Sequence, residues 1–241
     1  MKRILITGAN RGIGLDLTRR YVQREETLIF ATCRNPDNAA ELQSLAAQHP
    51  GRVHVIPLDV TSAQSIAESA AQVREHTDAL EMLINNAGVL PGGVENREPN
   101  IARFGALEAE AMLHVFHVNS VAPVLVAQAY ADMLRRGENA RVINVSSDAG
   151  SISSHLNGCD YTYPASKAAL NMMTRCLAGE FRGDGVTVIS IHPGFIKTDM
   201  GGQRARLTLE EAMPSFVEVL DGLTMADSGK FFNWDGKPVP W

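Results

Sequence analysis

A tyrosine and a lysine four positions apart are the side chains whose types and spacing most directly suggest chemistry. Tyr163 and Lys167 lie in a helix-like stretch, with Pro164 suited to its first turn. Residues four apart share one face of a helix, whereas Tyr161, six residues before the lysine, does not share it. Tyrosine has a pKa of about 10 and exchanges protons poorly at neutral pH unless a nearby cation stabilises the phenolate. Lys167 could supply that cation, so the pair predicts an acid–base group.

A serine at the end of a predicted strand is the third candidate. Ser147 closes the strand 140–147, and open α/β sheets bind ligands at the carboxyl ends of their strands. Its hydroxyl could hydrogen-bond a substrate carbonyl, and we prefer it to Ser146 because it directly precedes the turn at 148–150. Each of the three has an ordinary explanation, as a packing tyrosine, a solvated lysine and a turn-forming serine. Their conjunction is what favours a catalytic site.

A glycine-rich turn follows the first predicted strand and precedes a helix. Glycine permits a tight turn and a close approach of backbone to a pyrophosphate, and the free N–H groups at a helix start favour anions. The spacing is G-x-x-x-G-x-G, and the third glycine would let the helix pack closely on the strand. This turn therefore predicts a dinucleotide phosphate site made of Gly8, Asn10, Arg11, Gly12, Ile13 and Gly14.

The end of the second predicted strand indicates which dinucleotide binds. An NAD site usually carries Asp or Glu there for the ribose hydroxyls, but the sequence at 32–35 is Thr-Cys-Arg-Asn. Arg34 and Arg11 could instead converge on the 2′-phosphate of NADP; the alternative is two solvated surface arginines. NADP(H) is therefore favoured over NAD(H).

The elements that must position these residues alternate along the whole chain. Seven short runs rich in β-branched residues alternate with helix-like segments, a pattern typical of a parallel α/β sheet. Three of the helix-like segments show apolar stripes, at 13, 17 and 21, at 66, 70 and 73, and at 107, 111, 115 and 118. Thr61 with Gln64 suggests a capping box at the start of the second of these helices. The predicted strands are Ile4–Thr7, Thr27–Arg34, Arg52–Leu58, Leu80–Asn85, Ala140–Ser147, Val186–His192 and Lys230–Trp234. We predict an α/β fold: a Rossmann-type, doubly wound parallel sheet of seven strands with helices on both faces, in three layers.

Length and composition limit the remaining possibilities. The 241 residues contain no linker or repeat, so we predict a single domain over 1–241 with a short substrate loop near 200–214. The net charge of −5 argues against nucleic acid and anionic membranes as partners. The apolar run 4–6 is too short for a signal or a span, so a cytoplasmic protein is expected. The cysteines form no C-x-x-C pair, and His114 with His117 lacks further ligands, so no metal site is predicted.

The order of the motifs resembles that of the short-chain dehydrogenase/reductase family, from Thr7 to the C-terminus. The matching motifs are the glycine turn at 7–14, Asp59-Val60, Asn85-Asn86-Ala87-Gly88, Asn119, Ser147 with Tyr163-x-x-x-Lys167, and Pro193-Gly194 with Thr198. The stretch between Ser147 and Tyr163 is about three residues longer than in many members, around 155–160. That insert, the run 192–202 and the ending 232–241 are similar to those of the C-factor/Sniffer group of carbonyl reductases.

The resemblance implies a role for each matching residue. Tyr163 would be the general acid for carbonyl reduction or the base for alcohol oxidation, Lys167 would lower its pKa and bind nicotinamide-ribose hydroxyls, and Ser147 would orient the substrate oxygen. Asn119 would hold a water that links Lys167 to a proton relay. The remaining residues would contact the cofactor: Asp59 and Val60 at adenine, Asn86, Ala87 and Gly88 near the adenosine ribose, and Pro193, Gly194, Ile196 and Thr198 at the carboxamide.

The predicted function is NADPH-dependent reduction of an aldehyde or ketone by direct hydride transfer. The alternative is an NAD(P)-binding signalling or regulatory protein of the C-factor type, with little catalysis. A nucleotide-sugar epimerase ranks lower, because few residues follow Met200. The resemblance implies a homodimer or homotetramer through the helices near 115–136 and 165–182. Substrate specificity is expected in 91–103, 151–160 and 201–214.

Overall fold

Seven parallel strands form one sheet in the computed structural model, which describes residues 1–91, 101–154 and 160–241. The spatial order is β3-β2-β1-β4-β5-β6-β7, so the chain reverses direction across the sheet between β1 and β4. Each strand lies within one of the seven predicted runs or within two residues of it. The strands are β1 (Lys2–Ile6), β2 (Thr27–Cys33), β3 (Val53–Pro57), β4 (Met82–Asn85), β5 (Arg141–Val145), β6 (Thr187–His192) and β7 (Phe231–Asn233). The predicted doubly wound sheet is confirmed.

Helices cover both faces of the sheet. One apolar cluster joins α1, α2 and α8 to the strands, and a second joins α3, α5, α6 and α7 to the opposite face. Strands buried on both faces need apolar residues on both, which explains the nearly continuous Val, Ile and Leu runs. The helices are α1 (Gly12–Val22), α2 (Ala40–Gln48), α3 (Ala63–Arg74), α4 (Ala109–Phe116), α5 (Ala122–Ala129), α6 (Ala131–Arg136), α7 (Thr162–Glu180) and α8 (Leu209–Gly222).

A single π-helical turn, His117–Val121, connects α4 to α5. The continuous helical stretch 109–129 has the length and apolar composition of a membrane span. Its Val118, Ala122 and Val126 are buried in the core against the sheet, and the core helix of a soluble protein has the same composition.

Two of the predicted helix starts were wrong by a short distance. The predicted capping box of Thr61 and Gln64 does not form, because Ser62 caps α3 and accepts a hydrogen bond from the Ser65 N–H at 3.2 Å. Thr61 instead donates its hydroxyl to the Asp59 carboxylate at 2.7 Å. The stripe at 107–118 also began too early, because α4 starts at Ala109 and Leu107 is exposed.

The predicted substrate loop near 200–214 is shorter than expected, because α8 begins at Leu209. Thr208 and Glu211 form a capping box in which each side chain bonds the other residue's backbone N–H. Pro214 was interpreted as part of the loop, yet it lies inside the first two turns of the helix. Of the other predicted specificity segments, residues 92–100 and 155–159 lie outside the described part of the chain.

Candidate active site

The turn between β1 and α1 is shaped by backbone conformations that favour glycine. Gly8 and Gly12 have φ of +64° and +53°, in the left-handed region where a side chain is strained. A Cβ on Gly14 would overlap the Gly8 carbonyl oxygen and would lie 2.6 Å from Nδ2 of Asn86. The third glycine therefore lets α1 approach the strand, as its spacing predicted.

The side chains of Thr7, after β1, and Asn86, after β4, link this turn to the neighbouring strand. The Asn86 amide donates to the carbonyl oxygens of Thr7 at 2.9 Å and Gly8 at 3.0 Å. The Thr7 hydroxyl accepts the N–H groups of Asn86 and Ala87, both at 3.0 Å. β1 and β4 are the strands between which the sheet reverses, and open α/β sheets bind ligands at such a point. The predicted motif at 85–88 thus holds the edges of a crevice together.

The predicted cofactor residues line one crevice of about 290 Å³ at the carboxyl ends of the strands. Among the predicted residues, those that line it are Gly8, Asn10, Arg11, Gly12, Ile13, Arg34, Asp59, Val60, Asn86, Ala87, Gly88, Tyr163, Lys167, Pro193 and Thr198. Gly14, Gly194 and Ile196 do not line it. Ile196 is buried in the core, and a Cβ on Gly194, whose φ is +90°, would press on Leu207 and Trp234. These three therefore support the walls of the crevice from behind.

Both predicted arginines lie at the glycine-turn end of the crevice. Arg11 forms an exposed ion pair with Asp199 at 3.4 Å. The Thr61 hydroxyl lowers the pKa of the Asp59 carboxyl, and the charge of Arg34 lowers it further. The Asp59 Oδ1 accepts hydrogen bonds from the N–H and the hydroxyl of Thr61, at 2.9 and 2.7 Å. No carboxylate follows directly on β2, but Asp59 and Asp199 line this end of the crevice together with the two arginines.

Tyr163 lies at the other end of the crevice, beside Ser147. Burial raises the pKa of the Tyr163 phenol to about 12; a hydrogen bond with the Ser147 side chain opposes that rise, and the charges of Asp148 and Asp160 add to it. The neighbouring Ser146 points elsewhere, because its buried hydroxyl donates to the Asn171 side chain at 2.7 Å. Of the two serines, Ser147 is the one beside the phenol, whereas Ser146 is the one that lines the crevice. The choice of Ser147 as the residue that faces the substrate stays a prediction.

Lys167 is buried beneath the tyrosine. Its ammonium donates to the Val145 carbonyl at 2.8 Å and lies 5.8 Å from the centre of the Tyr163 ring. Desolvation lowers the pKa of Lys167 to about 8, so the group remains cationic at neutral pH. The lowering of the tyrosine pKa by this lysine stays a prediction. The lysine bonds a carbonyl rather than the phenol, and burial of the phenol dominates.

Asn119 lies in the π-helical turn, where its buried side chain brackets the backbone of Val89. Its Oδ1 accepts the Val89 N–H at 2.9 Å, and its Nδ2 donates to the Val89 carbonyl and the Ser166 hydroxyl at 3.0 and 3.1 Å. Both polar atoms of the amide therefore bond protein groups. In this position it fixes the chain that follows β4 against α7, and it does not line the crevice.

Several lining residues were not predicted as site residues. Cys33, Leu58 and Thr61 flank the arginine end, and their places directly after β2 and β3 could have revealed them. His114 and Met200 line the crevice from α4 and from the loop before α8, and nothing in the local sequence distinguishes them from packing residues. Within the described ranges, no group of three or more His, Cys, Asp or Glu side chains could hold a metal ion.

Comparisons with known proteins agree with this architecture. The family model described as short chain dehydrogenase matches residues 2–207. The solved structure of NADPH-bound carbonyl reductase from chicken fatty liver is 39% identical, with a TM-score of 0.88, and the match covers 100% of this chain and 99% of that one. The carbonyl reductase Sniffer of D. melanogaster is 33% identical, with a TM-score of 0.92 and full coverage of both chains. The C-signal protein of Myxococcus xanthus is 36% identical over 165 residues, 68% of this chain and 95% of that protein.

Proposed function

The chain belongs to the short-chain dehydrogenase family of oxidoreductases, and from this premise we propose that it is an NADPH-dependent carbonyl reductase. The observation that carries the proposal is that one crevice contains both an anion-binding turn and a tyrosine beside a serine hydroxyl. The similarity to carbonyl reductases of known structure supports the same reaction class. The substrate is a small aldehyde or ketone.

The residues at the glycine-turn end fit a phosphorylated dinucleotide. The turn at 8–14 lets backbone approach a pyrophosphate, and the start of α1 provides unpaired N–H groups and the positive end of a helix dipole. Arg34 and Arg11 would hold the 2′-phosphate, since guanidinium groups match phosphate geometry. When bound, NADPH supplies the hydride. The fit favours NADP(H) over NAD(H), because a carboxylate at the end of β2 would be needed for the ribose hydroxyls.

In the proposed reaction Tyr163 donates the proton that the carbonyl oxygen takes up. The phenol is protonated at neutral pH, as a proton donor must be, but burial raises its pKa and so opposes release of the proton. Ser147 orients the carbonyl oxygen towards the phenol. Lys167 supplies a buried cation that favours the phenolate once the proton has left, and its ammonium would also hold nicotinamide-ribose hydroxyls.

Asn119 acts indirectly in this proposal. Its amide already bonds Val89 and Ser166, so we infer that the water between Lys167 and the relay binds backbone groups of this turn or the second lone pair of Oδ1. Asn119 thus positions the wall beside Lys167.

The proposal is tested with NADPH oxidation on a panel of aldehydes, ketones and quinones. The variant Tyr163→Phe keeps the ring and removes the proton, so we expect turnover to fall about 10²- to 10⁴-fold while NADPH binding persists. The matched control is Tyr161→Phe, two residues away, where the side chain is exposed and turnover should not change. Equal turnover of the wild-type protein and Tyr163→Phe would contradict the mechanism.

A second candidate function is signalling with little catalysis, which the likeness to the C-signal protein favours. A protein of that kind would bind NADP(H) and oxidise it with no member of the panel. Binding measured by fluorescence of NADPH, combined with the turnover screen, separates the two candidates. Binding without any turnover would favour the second.

A further inference from the structure

The loop 193–208, between β6 and α8, crosses the crevice and reaches the glycine turn. In the sheet, β4 and β5 lie between β1 and β6, so three strand spacings, about 14 Å, separate the turn from the end of β6. A Cβ on Gly12 would nevertheless lie only 3.6 Å from Cγ2 of Thr198. The next residue, Asp199, pairs with Arg11 at 3.4 Å, and both side chains line the crevice. This ion pair therefore links the loop to the turn across the crevice.

Hydrogen bonds within the loop hold the backbone of Asp199 in this place. The Lys197 N–H donates to the Leu207 carbonyl at 2.8 Å, where the loop closes on itself. The Gly202 N–H donates to the Thr198 carbonyl, also at 2.8 Å. Within the described ranges, the Asp199 carboxylate takes no part in these loop bonds, because its hydrogen bond is to the arginine of the turn. Its charge can therefore be removed while the loop keeps its own bonds.

The two arginines at the glycine-turn end are held differently. Among the described residues Arg34 forms no ion pair, and Asp59, on which its charge acts, is held at Oδ1 by Thr61. Arg11 has Asp199 as a partner, and the two side chains are 56% and 62% exposed. An exposed ion pair contributes little to stability, so exchanging the partner costs little. Arg34 is thus free to meet an anion, whereas Arg11 must first leave the carboxylate.

A phosphate is a better partner for this guanidinium than the carboxylate is. Phosphate oxygens match the guanidinium fork and can accept two parallel N–H bonds. Asp199 accepts from one nitrogen of Arg11 at 3.4 Å, which is long for a charge-assisted bond. Because the carboxylate is tethered beside the arginine, it still competes at a high effective concentration. It therefore lowers the affinity for the phosphate and recaptures the arginine when the phosphate leaves.

We propose that Asp199 is an internal competitor for Arg11. The 2′-phosphate of NADP(H) takes the arginine from the carboxylate on binding, and the carboxylate takes it back as the cofactor leaves. This inference rests on the proposed function and adds to it a residue that sets cofactor affinity and release. NADH has no 2′-phosphate and leaves the pair intact, so it serves as the reference ligand.

The experiment compares the wild-type protein with Asp199→Asn, Arg11→Ala and the double variant. Asparagine has the shape of aspartate without its charge, and thermal unfolding checks that the fold is kept. The Kd values of NADPH and NADH are measured by titration calorimetry, and the dissociation rate of NADPH by stopped-flow fluorescence, so no readout depends on turnover. The control is Asp132→Asn, since that side chain also forms an exposed ion pair of 3.4 Å, with Arg135.

For Asp199→Asn we expect the Kd of NADPH to fall about three- to fivefold, mainly through slower dissociation, and the Kd of NADH to stay unchanged. In the Arg11→Ala background the same substitution should leave the Kd of NADPH unchanged, because no arginine is contested there. In about 0.5 M NaCl the gain should shrink. The control should leave both Kd values unchanged.

Three results would overturn the inference. An unchanged or weaker NADPH affinity in Asp199→Asn would mean that the carboxylate does not compete. An equal gain with and without Arg11 would mean that it repels the phosphate directly. An equal gain for NADPH and NADH would mean that the arginine meets the pyrophosphate and not the 2′-phosphate. A wild-type protein that binds neither cofactor would instead refute the cofactor assignment of the proposed function, and the inference with it.

Discussion

The two ends of the crevice differ in what forms them: backbone at the glycine-turn end and side chains at the tyrosine end. At the glycine-turn end, the shape is backbone: left-handed conformations at Gly8 and Gly12 and a helix pressed onto the turn at Gly14. At the tyrosine end, the backbone is ordinary strand and helix, and the site consists of side chains, with a buried lysine that bonds the Val145 carbonyl. At the first end, an added side-chain atom would clash with the backbone and disturb the fold. At the second end, a side chain can be replaced by one of the same shape without disturbing the fold, but the chemical group that acts in the reaction is then lost.

The energetic consequences also differ. The first end requires restricted conformations, which glycine adopts at a cost in unfolded-state entropy. The second requires desolvation of a cation, which the single bond from Lys167 to the Val145 carbonyl offsets only in part. We therefore expect backbone substitutions at the first end to lower stability. Side-chain substitutions at either end should change cofactor binding, activity or the pH dependence of stability.

The largest effect is expected from Gly14→Ala. The new Cβ would overlap the Gly8 carbonyl oxygen, and neither backbone can move without opening the turn. We expect the free energy of unfolding to fall by about 3 kcal/mol or more, measured by urea denaturation. The matched control is Gly179→Ala in α7, where a Cβ meets nothing within 4 Å; it should stabilise slightly. Equal stability of the two variants would remove the distinction between the ends.

The next largest effect is a pH dependence at Lys167. Burial lowers its pKa from the ordinary 10.5 to about 8, so between these values the unfolded chain binds more protons than the folded one. The free energy of unfolding of the wild-type protein should therefore rise between pH 8 and 10.5, relative to that of Lys167→Met, by at most about 3 kcal/mol. Parallel stability curves for the two proteins over this range would show that the lysine is not destabilised by burial.

Arg34→Ala tests the cationic part of the glycine-turn end. Loss of a charge-assisted bond to the 2′-phosphate should weaken NADPH binding about 10- to 100-fold and leave NADH binding nearly unchanged, as measured by titration calorimetry. Arg182→Ala, an exposed arginine after α7, serves as the control. If Arg34→Ala weakens the binding of NADPH and NADH equally, Arg34 does not contact the 2′-phosphate.

The smallest effect is expected from Asn86→Ala. This change removes the bonds to the Thr7 and Gly8 carbonyls but leaves the backbone conformation of the glycines possible. Stability should fall by about 1 kcal/mol, because water can replace the half-buried amide. NADPH binding should weaken modestly if the strand-to-strand link holds the turn in shape. A loss as large as that of Gly14→Ala would mean that this side chain, and not the backbone, maintains the turn.

Much of this arrangement could be predicted from local patterns. The seven strands followed from β-branched runs, and the roles of the glycines from their position between β1 and α1. The errors arose where a local signal competed with another. Pro214 suggested a loop although the capping box at Thr208 starts a helix before it, and Thr61 suggested a cap although Asp59 engages its hydroxyl. The assigned catalytic and cofactor roles remain predictions that the variants above test.

The sequence by itself determined the fold class and which residue types stand at the ends of the strands, because hydrophobic periodicity and glycine spacing are local properties of the chain. Only the tertiary structure decided which groups meet. The Lys167 ammonium bonds the Val145 carbonyl, 22 residues earlier in the chain. The Asn119 side chain bonds Val89 and does not line the crevice. The charges of Asp148 and Asp160 both raise the pKa of the Tyr163 phenol. Desolvation and Coulomb fields depend on the atoms packed around a group, and those neighbours come from distant parts of the chain.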